Sequence, residues 1–136
     1  MFPIMDLKGR IVAFGGRIMH SEESAAKYLN SPETVIFNKR RLLFPIYQAL
    51  PEIRRKRQAI MVEGYMDAIS LHAHGIKNVV ASLGTAFTVE QARLLKKYAD
   101  EVIFSYDMDA AGQNATRRAL EIAGSVAVSY THLTLP

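Results

Sequence analysis

From residue 59 onward, short apolar runs alternate with stretches whose apolar residues recur at helical spacing. Residues 59–62, 78–81 and 101–106 are apolar runs of strand length, and 65–74, 88–98 and 110–123 carry the helical pattern. The predicted helix ends are marked. Gly75 follows the first in the usual C-terminal position. Thr88, with Gln91 three residues on, is the signature of a capping box. Gly124 closes the third. Strand and helix alternating through short connections predict βαβ units on a parallel sheet.

The first 58 residues are less regular. Residues 2–6 and 10–14 read as a hairpin turning at Lys8-Gly9, with Gly15-Gly16 ending its second strand. Residues 20–34 are polar, with a turn at Ser31-Pro32. A helix is predicted over 41–50, stopped by Pro51. A charged connector over 52–58 then contains Arg54-Arg55-Lys56-Arg57. Residues 125–136 continue no helix and are expected to be a non-native or disordered tail. The competing reading is an edge strand. The expected organisation is a partial basic subdomain over 1–58, a truncated α/β domain over 59–124, and that tail.

Size and composition narrow the class. The 136 residues, 49% hydrophobic, suit one domain with a real core or a piece of something larger. No apolar run approaches the roughly 20 residues of a membrane span. The amino terminus lacks the basic-then-apolar order of a secretory signal. With no cysteine there is no disulfide, thiolate zinc site or cysteine nucleophile. A cytoplasmic protein is expected, away from membranes.

Charge adds a functional hint. The total of +4 divides into a net of +6 over residues 1–58 and −2 over 59–136. Such asymmetry suits a polyanion on the basic side and a cation on the acidic one. The acids have a pattern. Glu63 ends the apolar run 59–62, and Asp107 and Asp109 follow the run 101–106. Carboxylates at the carboxyl ends of adjacent parallel strands converge on the crevice where open α/β sheets bind ligands. Asp67 lies one helical turn past Glu63 and can face the same crevice. Read singly, each acid is a helix cap favoured by the helix dipole. Three at two matching strand ends fit Mg²⁺ or Mn²⁺ better, and with it metal-assisted phosphoryl or nucleotidyl transfer.

Other tempting residues carry less. His72 and His74 are two apart on a predicted helix and point away from each other. No serine occupies a nucleophile elbow, and no phosphate-binding GxxxxGK[ST] loop occurs.

Glu63 and Asp107-Met108-Asp109 resemble the acidic motifs of the TOPRIM domain, shared by bacterial primases, type IA and type II topoisomerases and small nucleases. The wider context resembles bacterial DNA primase. It includes Phe2-Pro3-Ile4, the segment from Gly9 to Arg17, the segment from Lys27 to Thr34, Phe37-Asn38-Lys39, Glu63-Gly64-Tyr65-Met66-Asp67 and the run from Ala81 to Ala86. The resemblance covers about residues 1–124. It implies a TOPRIM fold (Rossmann-like, with a mostly parallel sheet and flanking helices) preceded by part of a basic α+β subdomain. It implies synthesis of short RNA primers from ribonucleoside triphosphates on single-stranded DNA. By the same resemblance, Glu63, Asp107 and Asp109 hold Mg²⁺ or Mn²⁺, and Asp67 is a further catalytic acid. Arg17, Lys27 and Lys39 handle template or nucleotide phosphates, and Gly84-Thr85 forms a loop near the crevice.

Three departures accompany the resemblance. Met108 stands where the family commonly has glycine. A further acidic motif downstream of the Asp-x-Asp has no counterpart. The zinc-binding amino-terminal module and the carboxyl-terminal module that engages the replicative helicase are also without counterparts. The rival readings are a piece of a TOPRIM nuclease or topoisomerase, and a DNA-binding scaffold without turnover.

Overall fold

A computed structural model describes residues 2–17, 28–82, 86–106, 110–126 and 128–132. Its first part is a three-stranded antiparallel sheet in the order β1-β2-β3, formed by β1 (Phe2–Met5), β2 (Ile11–Arg17) and β3 (Tyr28–Asn30). Gly9, at φ +81°, makes the turn between the first two strands. The polar stretch 20–34, where only a turn is predicted, thus supplies β3. The Gly15-Gly16 pair does not end β2, which continues to Arg17. Gly15 lies under the Phe2 ring, where a Cβ would come within 2.5 Å of that ring. The glycine there marks a close approach rather than a break.

Helix α1 (Ile46–Lys56) begins later than predicted and runs through Pro51. Its one-sided burial explains this. Ile46, Ala49, Leu50 and Ile53 are buried on one stripe, and that packing outweighs the one helical hydrogen bond the proline removes. The expected connector is therefore the end of this helix. Arg55 and Lys56 pair with Glu52 at 2.8 and 3.9 Å, Arg57 pairs with Asp100 at 2.9 Å, and Arg54 lies 4.9 Å from the centre of the Tyr98 ring.

The second part follows the predicted alternation. It comprises β4 (Gln58–Val62), α2 (Tyr65–Ala73), β5 (Val79–Ala81), α3 (Val89–Lys96), β6 (Glu101–Ser105), α4 (Ala110–Ser125) and β7 (Ser129–His132). Gly75, at φ +89°, follows the end of α2 as expected. The predicted capping box of α3 is formed by Thr88 and Gln91. Gly124 lies within α4 rather than ending it. The four strands are all parallel, in the order β5-β4-β6-β7. Residues 129–132, expected to belong to a structureless tail, form the edge strand. The β6 backbone offers them a ladder in register, Glu101 opposite Ser129 through Phe104 opposite His132.

One core packs on each face of this sheet. Ala59, Met61, Val80, Val102 and Phe104 join residues of α1, α3 and α4. Val62, Val79 and Ala81 join Ile4, Ala13, Phe37, Phe44 and the α2 residues Tyr65 and Ala68. The antiparallel sheet is tied to the parallel one by an aromatic trio. Phe2, Phe44 and Tyr65 have ring centroids 4.6–5.0 Å apart. Phe44 also exchanges two backbone hydrogen bonds with Ala81, at 2.6 and 2.9 Å.

Candidate functional site

The strand order locates the crevice. After β4 the chain moves to one side, to β5. After β6 it moves to the other, to β7. The direction reverses between β4 and β6, and ligands of open α/β sheets bind outside the carboxyl ends of the strands at such a point. Val62 ends β4 directly opposite Ser105, the last residue of β6. Glu63 and Tyr106 therefore leave the sheet side by side.

A cavity of about 150 Å³ opens there. Glu63, Ser82 and Tyr106 come from the ends of β4, β5 and β6. Phe87 comes from the approach to α3, and Ala115, Arg118 and Ala119 come from α4. Tyr106 is buried, whereas Glu63 is exposed at the mouth. Burial first, and the Glu63 carboxylate second, push the Tyr106 phenol well above its ordinary ionisation range. At neutral pH it is a hydroxyl donor, not a phenolate.

Asp67 joins Glu63. A Cβ at Gly64 would lie 3.6 Å from Asp67 Oδ2, so the Asp67 carboxylate folds back over the backbone beside Glu63. Asp67 sits in the first turn of α2, where the exposed helix amides favour negative charge. Glu63 at the cavity and Asp67 close to the neighbouring Gly64 offer hard oxygen donors of the kind a magnesium-type cation takes. Asp107, Asp109 and the expected Gly84-Thr85 loop lie outside the described residues. Among the described residues, no group of three acids or histidines is placed to hold a metal.

Of the three expected phosphate-handling cations, Lys39 is the one whose surroundings are described. It lies in the turn before α1, and its carbonyl accepts a hydrogen bond from Gln91 Nε2 at 3.3 Å. Arg17 ends β2, and its side chain lies outside the description, as does Lys27 altogether. The histidines at the end of α2, His72 in its last turn and His74 at its C-cap, serve the fold. His72 Nε2 lies 3.0 Å from the Val79 carbonyl, and His74 Nδ1 lies 2.7 Å from that of Ser70.

Sequence reasoning missed Ser82, Tyr106 and Arg118. Ser82 was within reach, because the strand-end rule that found Glu63 applies equally to β5. Tyr106 reads in sequence as the last apolar residue of a strand. Arg118 needs the rotation of α4 against the sheet, which no local pattern carries.

The comparisons with known proteins agree with this architecture. The profile described as Toprim-like matches residues 60–136, and that described as the DNA primase catalytic core, N-terminal domain, matches residues 1–50. The chain belongs to the Toprim-like family. It is 48% identical to the DNA primase of Clostridium acetobutylicum over 136 residues, all of this chain and 22% of that one. The structure of the Aquifex aeolicus primase zinc-binding and RNA polymerase domains superposes with a TM-score of 0.92 at 43% identity, over 98% of this chain and 33% of that one. A DnaG primase catalytic domain bound to single-stranded DNA gives 0.87 at 42% identity, over 100% and 43%. The chain thus spans about a fifth of the length of the curated relatives it matches. Family membership implies a divalent-metal site, and the Glu63–Asp67 donor set is chemically suited to one. No helix among the described residues is long and apolar enough to cross a membrane.

Proposed function

We propose that this chain carries the metal-holding centre, and part of the adjoining basic subdomain, of a bacterial DNA primase acting in the cytoplasm at replication forks. The reaction is nucleotidyl transfer that builds short RNA primers from ribonucleoside triphosphates on single-stranded DNA. The observation that carries this reading is the emergence of Glu63 at the switch point beside a cavity it shares with Ser82, Tyr106 and Arg118, in a chain whose first 50 residues match the primase-core profile. In this reading residues 1–58 are the partial basic subdomain, and the Toprim domain runs from 59 past 124 to include the edge strand β7.

Glu63, Asp107 and Asp109 would hold Mg²⁺ or Mn²⁺, with Asp67 beside Glu63 as a further acid. Such an ion supplies charge stabilisation on the attacking and leaving oxygens of the transfer. The chain's own contribution is positioning and electrostatics. Arg118 adds a cation to the lining of the same cavity, and Tyr106 holds its proton there as a donor. Arg17, Lys27 and Lys39 would take backbone or nucleotide phosphates. A zinc-bearing module and the contact with a replicative helicase would lie in sequence outside these 136 residues.

The test is template-directed incorporation of ribonucleotides with Mg²⁺ by a C. acetobutylicum primase whose matching segment is replaced by this chain. Primer synthesis by the chimera, lost with Glu63→Gln, is the expected result. Undiminished synthesis with Glu63→Gln refutes the site, and an inactive chimera of native fold argues for the scaffold reading.

A further inference from the structure

Gln91 does more than complete a helix cap. It is fully buried, and all four of its hydrogen-bonding capacities are used. Its amide oxygen accepts from the Thr88 backbone N–H at 3.1 Å and from the Ser82 hydroxyl at 3.4 Å. Its amide nitrogen donates to the carbonyls of Lys39 at 3.3 Å and Leu42 at 3.1 Å. The neighbouring Thr88 hydroxyl donates to the Arg40 carbonyl at 2.6 Å while accepting from the Gln91 backbone N–H at 3.1 Å. The basic turn Lys39-Arg40-Arg41 is thus pinned to the start of α3 through the carbonyls of Lys39, Arg40 and the following Leu42. Their side chains are left available, and Arg40 and Arg41 are exposed. The other end of the same network is Ser82, which lines the cavity with Glu63.

A capping box needs only the bonds between Thr88 and Gln91. The two donations across about 50 residues of sequence are surplus to it. They join the basic turn of the first part of the chain to the crevice wall of the second. Arg40 and Arg41 also act on α3 through charge. The Glu90 carboxyl is held below its ordinary range first by its own backbone N–H and further by these two arginines.

The geometry points to Gln91 as a positioning residue that sets the place of the Lys39-Arg40-Arg41 turn relative to the Glu63 crevice, so that this turn meets a polyanion's phosphates in register with the site. The inference rests on the proposed primase reading, and it names the device that couples the basic half to the acidic one. Gln91 itself touches no reacting group.

The informative variant is Gln91→Glu in this chain. The introduced carboxyl keeps an oxygen for the Thr88 N–H and the Ser82 hydroxyl. In either protonation state it replaces at most one of the two donations to the turn. Amide hydrogen exchange is read first, without any ligand. The Arg40 and Arg41 amides should exchange roughly tenfold faster or more, as loss of an ordinary buried hydrogen bond implies, with the β4 and β6 amides unchanged. Unchanged exchange in the turn overturns the clamp. Binding of a labelled oligothymidylate is read second, across a salt series. Gln91→Glu should lower the salt slope by about 0.7 for each phosphate contact released. Combined with Lys39→Ala, it should lower the slope no further than the larger single effect. An unchanged or strictly additive slope overturns the positioning role. If Gln91→Glu lowers the slope but Lys39→Ala does not, the inference stands through Arg40 and Arg41 and the phosphate role of Lys39 fails. If Gln91→Glu does not fold, Thr88→Val breaks the Arg40 contact while Thr88→Ser keeps it. The same two readouts then decide, with the serine variant expected to match the native chain.

Discussion

Val62 and Ser105 stand opposite each other in the parallel ladder of β4 and β6, so Glu63 and Tyr106 enter the crevice as neighbours. The proximity has an electrostatic consequence that can be measured. Among the described residues, Glu63 is the one whose charge adds to burial in raising the ionisation range of Tyr106.

Alkaline titration should find Tyr106 ionising above the ordinary tyrosine range. Its folded pKa is raised above the unfolded value, so the stability it contributes is fully present below about pH 10, the ordinary tyrosine range. That stability is lost as pH rises from there through the folded value. Phenolate absorbance should show Tyr106 ionising late, together with alkaline unfolding. Glu63→Gln should bring that ionisation down in part, with burial keeping the remainder. A Tyr106 that titrates in the ordinary tyrosine range contradicts its placement.

Glu63→Gln should also weaken Mn²⁺ binding by this chain, measured by calorimetry or by electron paramagnetic resonance of the ion, while the circular dichroism spectrum is retained. Removing one charge from clustered carboxylates relieves repulsion, so the metal-free chain should be at least as stable as before. Undiminished Mn²⁺ affinity would count against Glu63 as a ligand.

Asp109→Asn is expected to do the same at the second strand end and to abolish nucleotidyl transfer in the chimera described above. Normal transfer at limiting Mg²⁺ would remove Asp109 from the site.

Two glycines should respond to alanine with opposite signs. At Gly15 a Cβ would lie 2.5 Å from the Phe2 ring, and Phe2 is held by Phe44 and Tyr65. Gly15→Ala should cost about 1–3 kcal/mol by overpacking. At Gly124, inside α4, a Cβ would meet only Tyr130 Cε1, at an ordinary 3.8 Å. Gly124→Ala should stabilise by roughly 0.5–1 kcal/mol through helix propensity. Urea unfolding of both variants checks the pair, and a stabilised Gly15→Ala would show that the aromatic trio yields easily.

Much of the second half was legible in the amino-acid order because its signals are local. Strand-length apolar runs, Gly75 after α2, and the Thr88–Gln91 box each depend on a few neighbouring residues. Parallel packing then carries Glu63 to a strand end without further information. The first half misled where packing at a distance overruled local preference. Pro51 reads as a stop, yet α1 continues because four buried residues hold its stripe against the sheet. Gly15 reads as a break, yet the Phe2 ring fills the space its missing side chain leaves. Residues 129–132 have no partner in sequence and find one only in the β6 edge. The cavity was the least legible part. Arg118 enters it through the rotation of α4, and Gln91 reaches Lys39 and Leu42 across about 50 residues. Local chemistry therefore determined the elements and the acid at the end of β4. Tertiary packing alone decided which distant groups share the crevice with it, since side-chain contacts between elements are set by how their faces fit and not by sequence spacing.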